Sequence, residues 1–439
     1  MGIRDLLVLM AGYGCMPVAL YNAYLGLLAY CWLSLMRPQS LVWSTNVRAA
    51  RITMAVAVVL VIRALFTHGP KIRFRASTVA FLALWAWLGV CTLYSTHVDS
   101  SSNDLLQFSK VGVAAVLITG LVRTRSQFKW LMVVLAMCPG IWAAKFGQFF
   151  LRGVPSSQDG AILGLDNNDV ALFIAMSIPM LAFCAHEIKS RWGRRVLYAS
   201  SMLAVPGVIL TTSRGGMLAM ATAVALTLLR KTAWWKAGVL GLAAFGVTWM
   251  LIPAKTLDRY RSIESYRADV SARGRMEAWQ TAMAMAERNP WTGVGFGQEA
   301  FLAEYQYYRP TAQAEPRAAH SVWFSLMGET GYMGLGLYIT LLLTVLHATA
   351  RVVGAARMTP PGQKNWAWSY AVAIQSSLLT FMVGGSFLSQ ARFEYVYLLA
   401  LASVPLLLLA EEDPALGPHL TGEVRSVGAQ GALALTRSD

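Results

Sequence analysis

The chain is predicted to be an all-α, polytopic membrane protein, and three observations carry that expectation. Hydrophobic residues make up 56% of its 439 residues and charged ones only 13%, too few polar groups to clothe a water-soluble globule. The mean hydropathy is +0.49, and the apolar residues fall in runs of about 20, the length a helix needs to cross a bilayer. The strand alternation of a transmembrane barrel is missing from those runs.

Taken in order, residues Leu6 to Met36 hold one span or two short ones broken around Gly14 and Pro17. Further spans are expected near Val47 to Phe66, Ser77 to Tyr94, Leu105 to Val122, Phe128 to Phe150, Val170 to Ala185, Leu197 to Thr212, Met217 to Leu229 and Trp234 to Ile252. After a long polar interval come Val322 to Val353, Trp366 to Phe387 and Tyr395 to Leu409, which makes about twelve in all. The chain thus divides into N-terminal transmembrane helices (1–252), one large extramembranous loop (253–319), C-terminal transmembrane helices (320–410) and a tail (411–439) with Gly and Pro but no apolar period, read as flexible and cytoplasmic.

Lysine and arginine in short connections orient such a protein, because cytoplasmic loops are enriched in them. Lys71, Arg73 and Arg75 mark one side, with Arg123, Arg125 and Lys129, then Lys189, Arg191, Arg194 and Arg195, then Arg230, Lys231 and Lys236, and finally Arg351, Arg357 and Lys364. The alternate connections carry Asp99 and Asp104, or Asp159, Asp166 and Asp169, or the turn Thr211-Thr212-Ser213-Arg214-Gly215-Gly216, and fall on the outer face with the long loop. Arg37, Arg48 and Arg51 would also lie outside unless the first helices form a broken or re-entrant pair.

The net charge of +15 lies largely in the cytoplasmic connections, where topology explains it, so membrane lipids rather than nucleic acid are the expected partner. All five cysteines lie in hydrophobic segments with no CxxC pair, which argues against a disulfide framework or a zinc site. The start shows no basic region followed by a small-residue cleavage site, so no removable signal peptide is expected.

Chemistry is expected in the long loop and at its edges. From Arg275 to Arg288 the apolar residues Met276, Trp279, Met283 and Ala286 recur at spacings of three and four before Asn289-Pro290, the pattern of an amphipathic helix with a stop. Gly293-Val294-Gly295-Phe296-Gly297 lacks the strand and helix context of a dinucleotide fingerprint and reads as a tight turn. Arg214, at the outer tip between two apolar helices, shares its face with Arg259, Arg261, Arg267, Arg273, Arg275 and Arg288. A guanidinium stays charged and grips phosphate oxygens in a fork, so such a cluster suits a diphosphate. Asp258, Glu264, Asp269, Glu277, Glu287, Glu299 and Glu304 offer the plainer role of ion-pair partners. His320 borders the loop where the next helix begins; imidazole there is either a hydrogen-bonded interface residue or a base for a sugar hydroxyl beside a cationic phosphate site.

The succession Thr211-Thr212-Ser213-Arg214-Gly215-Gly216, Arg275-Met276-Glu277-Ala278-Trp279, Asn289-Pro290-Trp291-Thr292-Gly293-Val294-Gly295, Ala319-His320-Ser321 and Gly328-Glu329-Thr330-Gly331-Tyr332-Met333-Gly334 resembles the bacterial O-antigen ligase and O-antigen polymerase superfamily. With Leu165-Asp166-Asn167-Asn168-Asp169 the resemblance covers about Gly164 to Gly336. It implies an inverting, metal-independent membrane glycosyltransferase of the GT-C type, needing no cofactor, in the bacterial inner membrane with its active site facing the periplasm. It further implies that a glycan on undecaprenyl diphosphate is transferred to a hydroxyl of the lipid A core oligosaccharide, a step of lipopolysaccharide biosynthesis. Carried over by position, Arg214 and Arg275 would hold the diphosphate and His320 would activate or orient the acceptor hydroxyl, with Arg273 and Arg288 as further candidates. Ser321 stands where many relatives have Asn. An O-antigen polymerase, or a protein O-glycosylation ligase of the kind encoded with exosortase systems, would use the same donor.

Two readings of other kinds remain at this stage. A lipid-linked glycan transporter could use the same arginines, although no pair of Gly/Pro-broken spans repeats across two halves. A metal-dependent transferase could use Asp166 and Asp169, which suit helix capping before Val170 equally well.

Overall fold

The computed structural model describes residues 2–41, 51–66, 71–153, 166–231, 267–359, 365–388 and 392–421. The described residues are helical throughout, with no strand. The N-terminal group comprises α1 (Ile3–Tyr13), α2 (Cys15–Tyr21), α3 (Ala23–Met36), α4 (Ile52–Phe66), α5 (Ala76–Leu93), α6 (Val98–Leu121), α7 (Arg125–Leu151), α8 (Asn167–Cys184), α9 (Arg191–Leu210) and α10 (Arg214–Lys231). The loop contributes α11 (Arg267–Arg288) and α12 (Gln298–Tyr308), and α13 (Val322–Met358), α14 (Trp366–Gly384), α15 (Glu394–Glu411) and α16 (Gly417–Thr421) complete the chain.

Among the described residues eight helical stretches are long and apolar enough to cross a membrane: Ile3–Tyr21, α5, α6, α7, Asn167–Glu187, α13, Trp366–Phe387 and α15. The protein is therefore a multi-pass membrane protein. α3 and α4 are apolar but shorter, and α9 and α10 have 20 and 18 residues with more polar content. The expected span Trp234–Ile252 lies outside the described residues, as does the start of Val47–Phe66. The first 36 residues form two stretches, and the chain reverses at Asn22, which caps α3 by accepting from the Tyr24 and Leu25 N–H groups. Gly14 is a joint between α1 and α2.

Two helices form the middle of the bundle. α8 is buried along almost its whole length between α7, α9, α10 and α14, and α15 is buried between α6, α13 and α14. They meet through aromatic edges, Phe173 standing at 90° to Tyr395 with centroids 5.3 Å apart. Such contacts suit a medium where burial alone gives helices no preference for each other over lipid.

Ion pairs close the end of the bundle that carries the basic connections. Glu411, Glu412 and Asp413 at the end of α15 receive Arg75, Arg73 and Arg125 respectively, the last at 2.8 Å, and Arg351 reaches the Leu420 carbonyl at 2.8 Å. Residues 411–421, expected to begin a flexible tail, are therefore folded, because their carboxylates meet three arginines from two connections; residues 422–439 lie outside the described set.

The opposite end carries the loop helices. α11 lies on α13 and α12, by a face that keeps Trp279 and Ala286 of its apolar period but not the two methionines. Ala278, Ala282, Met285 and Ala286 are buried, while Met276 is 54% exposed and Met283 38%. Small alanines let the two helix backbones approach, and the long methionines are left outside. α13 is broken at Gly331, whose φ of 69° and ψ of −175° are open to glycine alone.

Candidate functional site

Two helix starts are fastened side by side at the loop end. Ser213 caps α10, its Oγ accepting from the Gly216 N–H at 3.0 Å and donating to Asn168 Oδ1 at 2.7 Å on the first turn of α8. Asp166 caps α8 by accepting from the Asp169 N–H at 2.8 Å, so its role is the capping one. Among the described residues no group of carboxylates, histidines and cysteines is arranged to hold a metal ion. Arg214 is the first residue of α10 and is exposed. Helix N-termini carry unsatisfied N–H groups and a partial positive charge, so this pair of starts already favours an anion.

The third component comes from the loop. The Trp279 indole of α11 donates to the Ala319 carbonyl at 2.7 Å, and its ring stacks on Phe324 of α13, centroids 4.9 Å apart and planes 11° apart. This clamp holds His320, which has a left-handed φ of 47° between the buried neighbours Ala319 and Ser321. Thr212, two residues before Arg214, is left-handed as well, at φ 55°. Non-glycine residues in this region cost about 1–3 kcal/mol each and persist only where surrounding structure enforces them. Ser321, at the cap position of α13, makes no side-chain capping bond, and its Oγ is buried with no hydrogen-bond partner among the described residues.

Electrostatics bring these pieces into one site. Burial and then Arg214 lower the Arg275 guanidinium from its ordinary value, with Asp166 opposing; it stays a cation near neutral pH. Burial and then Arg275 push the His320 imidazole below the usual histidine value, Asp166 raises it, and Arg317 lowers it again. Arg275 thus feels Arg214 and Asp166, and His320 feels Arg275, Asp166 and Arg317. A partly buried excess of positive charge beside a neutral imidazole can hold a dianionic group and accept a proton next to it.

The glycine-rich turn supports this site from behind. Gly293, Gly295 and Gly297 all have positive φ, and the turn docks into the break of α13. Val294 N–H donates to the Gly328 carbonyl at 3.0 Å, Gly295 N–H to the Glu329 carbonyl at 3.1 Å, and Tyr332 N–H to the Pro290 carbonyl at 2.8 Å. The buried Glu329 carboxylate accepts from the Gly297 N–H at 3.0 Å. These bonds satisfy backbone groups that the Gly331 break would otherwise orphan, so the turn is structural.

Of the five residues expected in the site, three are linked electrostatically, Arg275 being influenced by Arg214 and itself acting on His320, whereas Arg273 is 77% exposed and paired with Glu277 at 3.2 Å. Arg288 lies at the far end of α11, stacked over Tyr308 at 5.1 Å. Arg259 and Arg261 lie outside the described residues, as does the side chain of Arg267. Sequence reasoning missed Arg317, whose signal was its place three residues before His320, on the polar side of the same boundary.

Residues 199–339 match the O-antigen ligase family, and the match contains Arg214, Arg275, Arg317 and His320, which bears out the resemblance to the O-antigen ligase and polymerase superfamily. Residues 3–152 match a family of unknown function (DUF5935). No curated protein matches the chain.

Proposed function

From an O-antigen ligase domain whose arginines and histidine converge at one end of a membrane bundle, we propose that this protein is an inverting, metal-independent glycosyltransferase of the bacterial inner membrane. It joins a glycan carried on undecaprenyl diphosphate to a hydroxyl of the lipid A core oligosaccharide at the periplasmic face. The observation that carries this reading is the meeting of Arg214, Arg275 and His320, drawn from three separate elements, at helix starts that favour an anion.

His320 takes the proton of the acceptor hydroxyl as its oxygen forms a bond to the anomeric carbon of the donor sugar. The bond from that carbon to the diphosphate oxygen breaks on the opposite face, its electron pair leaving with undecaprenyl diphosphate, and the anomeric configuration inverts. Arg214 and Arg275 neutralise the charge that grows on the leaving group, the moment at which fixed guanidiniums help most. The burial of His320 and the nearby cations keep its imidazole neutral and ready to accept.

The test is transfer by the purified protein of a labelled undecaprenyl-diphosphate glycan to lipid A core in EDTA, with His320→Ala, Arg214→Ala and Arg275→Ala alongside. Conjugate from the wild type and none from the three folded variants upholds the reading. Lengthening of the donor glycan would make the protein a polymerase, transfer to a polypeptide hydroxyl a protein O-glycosylation ligase, and movement of intact donor across the bilayer a transporter.

A further inference from the structure

Arg317 is built into the site in a way that its neighbours do not explain. Its guanidinium lies across α11 at Gly274, where a Cβ would fall 1.8 Å from Nη1 and 2.5 Å from Cζ. Only glycine at 274 leaves the guanidinium that place, directly beside Arg275 in the chain. The Arg317 Nε is buried and has no hydrogen-bond partner among the described residues. Its one ion pair, to Glu315, is long at 3.9 Å, and the Glu315 side chain is 84% exposed, too solvated to compensate a buried donor. A guanidinium N–H withdrawn from water without an acceptor is costly and therefore marks a position for one. Arg317 lies beside Arg275 at Gly274 and acts on His320, which also feels Arg275 and Asp166; Asp166, the anion among these, is engaged in capping α8.

We propose that Arg317 is a third donor-binding arginine, gripping the diphosphate of the lipid-linked substrate together with Arg214 and Arg275, and that Gly274 exists to seat it. This rests on the glycosyltransferase reading and extends it. One guanidinium can hold one phosphate bidentately; a third beside Arg214 and Arg275 adds a fork for the diphosphate oxygens that the first two leave without a donor. Its place three residues before His320 ties donor binding to the residue that deprotonates the acceptor. The same charge discourages protonation of His320, in concert with Arg275 and against Asp166.

The experiment measures binding of undecaprenyl diphosphate to the purified full-length protein, together with KM for donor and acceptor. The forms compared are wild type, Arg317→Ala, Arg317→Lys, Gly274→Ala and the Arg317→Ala/Gly274→Ala double variant. Arg317→Ala should weaken diphosphate binding roughly tenfold or more and raise donor KM in step, with Arg317→Lys recovering part of it as a point charge. Gly274→Ala, a helix-compatible change, should weaken binding by displacing the guanidinium. The double variant should bind no worse than Arg317→Ala, because the two changes remove one interaction. Wild-type binding by Arg317→Ala, multiplied effects in the double variant, or a loss confined to acceptor KM would each overturn the assignment. Failure of the wild type itself to bind undecaprenyl diphosphate would sink the glycosyltransferase reading, and this inference with it.

Discussion

Replacing Trp279 by Phe should slow transfer about tenfold while leaving donor affinity and fold intact. His320 is left-handed at φ 47°, a conformation that costs a non-glycine residue about 1–3 kcal/mol. What opposes that strain is the burial of its two neighbours and the 2.7 Å bond from the Trp279 indole to the Ala319 carbonyl. A single such bond contributes about 0.5–1.5 kcal/mol, and the buried carbonyl left without its donor adds about 1 kcal/mol or more. Phenylalanine can still stack on Phe324 while removing the donor and part of the indole's volume, whose cost to stability the melting curve reads separately. The imidazole should then occupy its productive position several-fold to tenfold less often, by the usual relation of free energy to population. The assay is steady-state transfer with both substrates varied, backed by a melting curve in detergent. Full turnover in Trp279→Phe, or a loss that lies entirely in donor KM, would refute the argument that this bond poises His320.

Other outcomes follow from the same geometry. Because burial and Arg275 hold His320 below the ordinary histidine value of about 6.5, its neutral form persists below that pH; kcat should stay level from pH 8 downward and fall only on the acid side of 6.5. In Arg317→Ala the activity should fall at a higher pH than in the wild type, since the variant removes charge that disfavours the imidazolium. Gly331→Ala should destabilise the protein by about 2–4 kcal/mol, read as a lower denaturation midpoint, through forbidden backbone strain and a Cβ placed 2.3 Å from the Trp291 carbonyl. Arg273→Ala and Arg288→Ala should each leave transfer within about twofold of wild type, because exposed, paired arginines contribute little; a tenfold loss in either would extend the site beyond the three guanidiniums.

Helix positions were legible because a bilayer forces long apolar runs; Arg214 and His320 stood out because they lie at boundaries of such runs, and Arg275 because it heads the amphipathic period of the loop. What escaped the sequence depended on contacts between distant segments. The face that α11 buries is decided by α13, which needs alanines for close approach, so Trp279 and Ala286 of the apolar period pack while Met276 and Met283 stay outside. Arg273 and Arg275 are alike in sequence and differ only by which side of α11 meets Arg214 and His320. Arg317 was hidden for the same reason, since nothing along the chain announces that Gly274 is vacant space for its side chain. The folded segment after α15 looked featureless until its carboxylates were seen against arginines contributed by connections far upstream.

Those pairings give the arginines two successive employments. Synthesis runs from the N-terminus, so Arg73, Arg75 and Arg125 are made long before Glu411, Glu412 and Asp413. While the early helices are choosing a side, these residues are bare positive charge, the form in which basic residues bias the side on which a connection stays. Only when α15 is complete does acid reach them, and then the cue that steered insertion becomes a clasp that the last helix fastens on the first ones.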